Sequence, residues 1–182
     1  MALAAVGEGL RRVLSVGSGP DSEAEQTWLK KWAFEGFAVV RLDIDARNKP
    51  DICASMTDIG EIGSFDVVYC CHALEHLYPH EVHKALAEFY RVLAPEGQAV
   101  IMVPDLEDVR PTEDILDIPT MGPVTGLHLF YGDASQIEQY PYMAHHCGFV
   151  KDTLQHAMRL AGFAKIQVRR AAAYNLIATG QK

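Results

Sequence analysis

Short apolar runs alternate with stretches of helical spacing along most of the chain. Arg12 to Val16 is a β-type run that leads into Gly17-Ser18-Gly19. From Asp21 to Glu35 the apolar residues recur every three or four positions, which predicts a helix that stops at Gly36. Phe37 to Leu42 is then a second strand. The first part of the chain therefore has the order strand, helix, strand.

The same alternation continues through the middle of the chain. Asp51 to Met56 is a short third strand, and Phe65 to Cys71 is a nearly continuous apolar run, as expected of a strand buried on both faces of a parallel sheet. His80 to Leu93 returns to helical spacing, which Pro95 ends. Gln98 to Val103 is the fifth strand.

The pattern breaks between residues 104 and 149, where prolines, glycines and aromatic residues follow no sustained period. A stretch of this length is usually a functional loop, and we expect either a substrate lid or a loop packed by its own aromatic residues. Val150 to Ala161 is helical again, and Phe163 to Arg170 and Tyr174 to Thr179 close the chain as two strands. The elements predict an α/β fold with an open, mostly parallel sheet and an antiparallel hairpin at one edge.

Length and composition are typical of one globular domain. The 182 residues are 49% hydrophobic and 22% charged, enough to bury a sizeable core, so we expect residues 1–182 to form a single domain with the 104–149 insertion. Sixteen basic and twenty-four acidic residues give a net charge of −8, and no basic block is present, which argues against a nucleic-acid partner.

Cysteine usage and hydropathy indicate the compartment. Cys53, Cys70, Cys71 and Cys147 show no paired spacing and are expected to be reduced. The apolar runs are shorter than the roughly 18 residues that cross a bilayer, and residues 1–10 lack the features of a signal peptide. We expect a cytoplasmic protein without a membrane partner.

The loop after the first strand is the first candidate site, because ligands of such sheets bind at the carboxyl ends of the strands. Gly17 and Gly19 expose bare backbone there, and the following helix start offers N–H donors. An isolated G-x-G also occurs as a plain tight turn. The glycines alone leave both interpretations open.

Asp43 ends the neighbouring strand and can accept hydrogen bonds from both hydroxyls of a ribose. The alternative is a solvated acid at a strand end. A dinucleotide fingerprint requires a third glycine where this chain has Ser22, which argues against NAD. Together with the glycines, Asp43 indicates a nucleoside ligand.

Four segments resemble the class I S-adenosylmethionine-dependent methyltransferases. They are Val13 to Gly19, Arg41 to Ile44, Phe65 to Leu77 with its Ala73-Leu74-Glu75-His76 sequence, and Arg91 to Gln98. The resemblance covers about residues 12–103 well and 150–180 loosely. It implies a Rossmann-like, doubly wound, seven-stranded, mostly parallel sheet whose last strand is antiparallel.

The resemblance also implies S-adenosylmethionine as cofactor, bound across the ends of the first, second and fourth strands. By position, the loop of Gly17, Ser18 and Gly19 approaches the amino-acid part and Asp43 holds the ribose. The remaining implied contacts are adenine at Ile44, Ser55 and Met56, and the methionine end at the backbone of Cys71 and His72. Ser55 departs from the commoner pattern, which has an acid there.

Four histidines, His72, His76, His80 and His83, have spacings that would form a stripe of metal ligands on an unbroken helix. Pro79 interrupts that helix, and the resemblance assigns Glu75-His76 to a loop after the strand. We expect no metal site from this pattern. Adjacent Cys70 and Cys71 are expected to be buried rather than nucleophilic.

The insertion carries the candidates for catalysis. Methyl transfer requires alignment of the acceptor, and a hydroxyl or ammonium acceptor must also lose a proton, for which imidazole is suited. The candidate bases, in order, are His145 or His146, then His128, then Asp105. The arrangement of Gly126 to Gly132 and Tyr140 to Phe149 resembles small methyltransferases linked to polysaccharide and glycosyl-transfer pathways, so a glycan or a small molecule is the expected acceptor.

Three other functions remain open at this stage. They are a cofactor-binding protein without chemistry, a nicotinamide-dependent oxidoreductase, and an interaction module. The chain starts about 11 residues before its first strand, so the expected pocket lacks a covering helix. That arrangement favours a large acceptor or a second subunit, as in a homodimer.

Overall fold

The computed structural model describes residues 10–20, 36–118 and 122–182. The strands are β1 (Arg12–Val16), β2 (Ala38–Asp43), β3 (Ile52–Cys53), β4 (Phe65–Cys71), β5 (Leu93–Pro104), β6 (Ile115–Ile118), β7 (Gly122–Thr125), β8 (Ala164–Ala171) and β9 (Asn175–Gln181). The α-helices in these ranges are α1 (Val82–Val92), α2 (Gly126–Tyr131), α3 (Ala134–Ile137) and α4 (Lys151–Leu160).

Seven of these strands form one sheet in the order β3-β2-β1-β4-β5-β9-β8. Strands β1 to β5 pair in parallel, whereas β9 runs antiparallel to both β5 and β8. This topology confirms the Rossmann-like α/β prediction with its antiparallel last strand. Because β1 lies between β2 and β4, the carboxyl ends of these three strands meet at one edge.

Burial on both faces explains the continuous apolar run of β4. Val68 and Cys70 belong to the main hydrophobic core, while Val67 and Tyr69 pack in a second cluster with Val13. Successive side chains of a strand point to opposite faces, so each face of the sheet receives alternate residues. The central strands are thereby held in a single register.

Helices α1 and α4 cover the main core. In α1 the buried side chains, among them Leu86 and Phe89, recur at helical spacing, and α4 contributes Leu154 and Met158. The bounds of α1 differ slightly from the prediction because Leu93 already pairs with Phe65 as the first residue of β5. The predicted fifth strand is correspondingly extended at its amino end.

The insertion between β5 and α4 has structure that the sequence pattern did not predict. Strands β6 and β7 form an antiparallel pair, followed by α2 and α3. Val109, Val124 and Leu129 form a small core of their own. Elements this short do not establish a period, which is why the sequence pattern predicted no regular structure there.

The helix predicted over Asp21 to Glu35 lies outside the described residues. None of the helices in the described ranges has the length and apolarity that a membrane-spanning segment needs.

Candidate active site

A cavity of about 580 Å³ opens where β1, β2 and β4 end. Seven of the nine residues expected to bind the cofactor line it: Gly17, Gly19, Asp43, Ile44, Ser55, Met56 and His72. Residues as distant in sequence as Gly17 and His72, which are 55 positions apart, are thus brought together by the parallel order of the strands.

The loop after β1 depends on its glycines. Gly17 has φ +62°, and a Cβ there would lie 2.3 Å from the Cβ of Ala73. Gly19 has φ +62° as well, but a Cβ there would meet no atom of the described residues within 4 Å. Gly17 is therefore required by packing against the segment after β4, whereas Gly19 presents bare backbone to the cavity.

The Asp43 side chain is buried at the end of β2 and is 6% exposed. Its Oδ2 accepts a hydrogen bond from the Gly19 N–H and its Oδ1 accepts one from the Asp45 N–H, both at 2.8 Å. A carboxylate offers about four acceptor positions, and the described residues use two of those of Asp43. The geometry allows Asp43 to hold two hydroxyls while it fixes the glycine loop.

Two expected cofactor residues lie outside the lining of this cavity. The Ser18 N–H donates to the Leu42 carbonyl at 3.2 Å and so ties the β1 loop to β2. Cys71 packs against the second hydrophobic cluster. Between Cys71 and Ala73, His72 has φ +49°, a strained conformation for a residue other than glycine.

Residues from the insertion cover the cavity on its open side. Tyr140, Tyr142 and Met143 line it together with Arg47, which follows β2. The Arg47 guanidinium lies 4.7 Å from the centre of the Tyr140 ring and donates to the Gln139 carbonyl at 3.1 Å. The sequence analysis did not identify Arg47, because its partners lie about ninety positions away.

A second cavity of about 480 Å³ lies beyond β5 and is lined by His145 and His146. The two cavities adjoin at His76, which lines the first one and whose ring centre lies 4.9 Å from that of His145. The His146 ring stacks on Tyr78 with centres 4.3 Å apart. Two imidazoles expected to act on a substrate therefore face a cavity next to the first.

The protonation of His145 follows from its surroundings. Its Nδ1 lies 3.0 Å from the Leu129 carbonyl oxygen, which only accepts hydrogen bonds, so Nδ1 carries the proton. Burial lowers the pKa of His145 and outweighs the opposing effect of the Glu75 carboxylate. The neutral ring keeps a lone pair on Nε2, which can bind a proton or a metal ion.

The other two candidate bases are placed differently. Asp105 is 2% exposed and accepts hydrogen bonds from the Arg170 guanidinium and from the Glu107 N–H. His128 lies in the first turn of α2, where its N–H donates to the Thr125 hydroxyl. Neither residue is among those that line the two cavities.

Glu75 follows β4 and is 1% exposed. Its Oε1 lies 3.3 Å from Nδ1 of His72. Burial opposes charge on both groups, but their mutual attraction prevails, so the pKa of Glu75 is lowered and that of His72 is raised. The sequence analysis named Glu75 only as part of the family motif and missed its place beside both cavities.

The thiol that borders the second cavity is unsuited to nucleophilic attack. Burial, and after it the Glu75 carboxylate, raises the pKa of Cys147 to about 12. The thiolate is the reactive form, and it is scarce at neutral pH under these conditions.

Comparisons with known proteins give the family. The model of the family described as "Methyltransferase domain" matches residues 1–168. No curated protein matches the chain closely enough to count as a relative.

Solved structures share the fold at low sequence identity. A methyltransferase of Burkholderia thailandensis, determined with 1,6-didemethyltoxoflavin and S-adenosylhomocysteine, is 16% identical with TM-score 0.62 over 95% of this chain and 71% of that one. An S-adenosylmethionine-dependent methyltransferase of Archaeoglobus fulgidus is 17% identical with TM-score 0.65 over 96% and 87%. One from Mesorhizobium loti is 19% identical with TM-score 0.63 over 96% and 92%.

Proposed function

The chain belongs to the methyltransferase-domain family, and we propose that it transfers a methyl group from S-adenosylmethionine to a small acceptor bound in the second cavity. The observation that carries this proposal is the meeting of Gly19 and Asp43 at the mouth of the first cavity. Bare backbone and a buried carboxylate with free acceptor positions fit the amino-acid part and the ribose of this cofactor.

The chain's own residues account for binding. Gly17 and Gly19 keep the backbone close to the cavity, Asp43 accepts from the ribose hydroxyls, and Ile44 with Met56 offers an apolar surface for the adenine. Ser18 and Cys71 lie outside the lining of the cavity and help to hold the loops after β1 and β4 in place. When bound, S-adenosylmethionine supplies a methyl group that is already activated for transfer.

The insertion serves as the lid in this proposal. Tyr140 and Tyr142 lie over the first cavity, and Arg47 holds the segment at Tyr140. Covering the cavity excludes water and orients the acceptor, which are the main contributions a protein makes to an in-line displacement. The described residues 104–118 and 122–149 would act as part of the same domain as the sheet.

A base is needed when the acceptor is a hydroxyl or an ammonium group. His146 lines the second cavity and stacks on Tyr78, and His145 lies beside it. We propose that the His146 ring takes up the proton that the methyl acceptor loses. Asp105, which is paired with Arg170, and His128, which lines neither cavity, are weaker candidates.

The size of the second cavity, about 480 Å³, favours a small-molecule acceptor with a hydroxyl or amine group, a free sugar included. The Burkholderia protein, with its bound 1,6-didemethyltoxoflavin, supports an acceptor of that size.

Calorimetry with S-adenosylhomocysteine tests the cofactor assignment, and NADH serves as the comparison ligand. We expect one S-adenosylhomocysteine to bind per chain and NADH not to bind. Transfer of labelled methyl from S-adenosylmethionine to a panel of hydroxyl and amine compounds then tests the chemistry. Changing both His145 and His146 to Ala should leave S-adenosylhomocysteine affinity nearly unchanged and lower turnover.

Equal turnover in that double variant would remove both histidines from the reaction. Cofactor binding without methyl transfer to any acceptor would instead identify a binding protein that lacks the chemistry. Binding of NADH in place of S-adenosylhomocysteine would overturn the cofactor assignment.

A further inference from the structure

Three side chains that can ligate a metal meet where the two cavities adjoin. Glu75 and His76 belong to the 3-10 turn Leu74–His76 after β4, and His145 comes from the segment before α4. One ligand atom of each lies within 4.8 Å of the other two. The segment is held in place because the His146 and Cys147 N–H groups donate to the Glu75 carbonyl, at 2.9 and 3.2 Å.

The Glu75 carboxylate is deeply buried, and His72 is its ionic partner. The side chain is almost wholly buried, and neither oxygen accepts a hydrogen bond from the described residues. The nearest cationic group is Nδ1 of His72, 3.3 Å from Oε1. A buried carboxylate without hydrogen bonds is costly, so a cation at this point would stabilise it.

Both histidines of the cluster are oriented by backbone carbonyls. Nδ1 of His145 lies 3.0 Å from the Leu129 oxygen, and Nδ1 of His76 lies 3.1 Å from the Ala144 oxygen. This is the usual environment of a metal-binding histidine, in which one nitrogen donates to a carbonyl and the other binds the ion. Nε2 is then the ligand atom of each ring.

His76 has a second carbonyl neighbour. Its Nε2 lies 3.2 Å from the His72 carbonyl oxygen. Metal binding at Nε2 would replace this contact, so the His76 ring has to turn away from His72 when the ion binds.

We propose that Glu75, His76 and His145 form a three-ligand site for a divalent transition metal of the zinc class. Two imidazoles and one carboxylate are a ligand set of zinc sites that keep an open position. Ligand distances near 2.0–2.1 Å put neighbouring ligand atoms about 3.4 Å apart, so small side-chain rotations complete the shell. The open position faces the second cavity, which His145 lines.

The metal site goes beyond the proposed function, and one consequence of the site rests on that function. A hydroxyl or water bound to such an ion loses its proton more readily. His146, which adjoins His145 in sequence, would receive that proton, while His145 acts as a ligand.

Metal uptake tests the site without any activity measurement. The protein is stripped with a chelator, dialysed against micromolar Zn²⁺ or Co²⁺, and assayed for bound metal. We expect one ion per chain, visible absorption typical of four-coordinate Co²⁺, and a higher melting temperature with Zn²⁺. Glu75→Gln and His145→Asn should each weaken Zn²⁺ binding at least 100-fold, whereas His156→Asn, on the exposed side of α4, should bind as the wild type does.

His145→Asn keeps the test decisive if Glu75→Gln does not fold, because His145 is only partly buried. Less than one-tenth of an ion per chain in the wild type would overturn the site, and so would equal Zn²⁺ binding by His145→Asn and His156→Asn. S-adenosylhomocysteine calorimetry on the stripped protein separates the two proposals, since the cofactor residues are different ones.

Discussion

The N–H of Gly19 donates a 2.8 Å hydrogen bond to Oδ2 of Asp43 and so joins the loop after β1 to the end of β2. The guanidinium of Arg41, which also belongs to β2, donates to the Gly19 carbonyl. Both polar groups of the Gly19 backbone are therefore used to fix the loop. The cavity edge is formed before any ligand binds, which lowers the entropic cost of binding.

Replacing Asp43 should weaken cofactor binding. Asp43→Ala removes the acceptors for two ribose hydroxyls and releases Gly19, a loss of about 1–3 kcal/mol, or about 5- to 150-fold in affinity. Calorimetry with S-adenosylhomocysteine measures this change. Asp108→Ala removes an exposed carboxylate near Arg170 and should leave the affinity as it is.

Substitutions of three glycines with positive φ distinguish an effect on packing from an effect on cofactor binding. Gly17→Ala adds a clash with Ala73 to the backbone strain, so we expect a loss of about 2–4 kcal/mol in the free energy of unfolding. Gly60→Ala has the strain without a neighbour within 4 Å and should cost about 1 kcal/mol. Urea unfolding distinguishes them, and equal losses would show that Gly17 is not required by packing.

Gly19→Ala should act on binding instead. Within the described part of the chain the added Cβ has no neighbour closer than 4 Å, so the loss in stability should resemble that of Gly60→Ala. The new methyl group projects beside the cavity and should reduce S-adenosylhomocysteine affinity about tenfold or more. An affinity equal to that of the Gly60→Ala protein would contradict the assignment of Gly19.

The Arg47–Tyr140 contact should slow the release of ligand. Tyr140→Ala removes the ring on which the guanidinium lies, and we expect dissociation of S-adenosylhomocysteine to become about two- to fivefold faster. Stopped-flow displacement measures this rate. Tyr140→Phe keeps the ring and should dissociate like the wild type; equal rates for all three proteins would show that the contact does not close the cavity.

Glu88 should make stability depend on pH in the acid range. Its carboxylate accepts from Arg91 and from the Ile59 N–H, and mainly the Arg91 bond keeps the pKa of Glu88 below its ordinary value of 4.5. A group with a lowered pKa contributes stability above the unfolded value and loses it as the pH falls through the folded value. Glu88→Gln should therefore cost about 1 kcal/mol at neutral pH and progressively less below about 4.5.

Urea unfolding of both proteins across this pH range measures the difference. Glu61→Gln is the matched control, because the Glu61 carboxylate is 99% exposed and lies 3.8 Å from the same arginine. A constant difference between wild type and Glu88→Gln at all pH values would exclude the charged carboxylate as the cause.

The sequence by itself determined the types of the seven strands of the main sheet and of helices α1 and α4, and their order along the chain. Periods of two and of 3.6 are local properties, so the buried strand Phe65–Cys71 and the helix of Phe89 could be read from nearby residues alone. The nearness of the glycine loop after β1 to Asp43 followed too, because the carboxyl ends of neighbouring parallel strands share one edge. The topology of a parallel sheet was enough to predict this nearness from the sequence.

Only the tertiary structure decided the contacts between segments that have no period in common. Asp105 was predicted as a base from its place after β5, but Arg170 from β8 occupies its carboxylate. Arg47 meets Tyr140, and Glu75 meets His145, across about seventy to ninety positions. Such contacts depend on how side chains of distant elements pack and on which of their charges neutralise one another. No local pattern of apolar and polar residues encodes either.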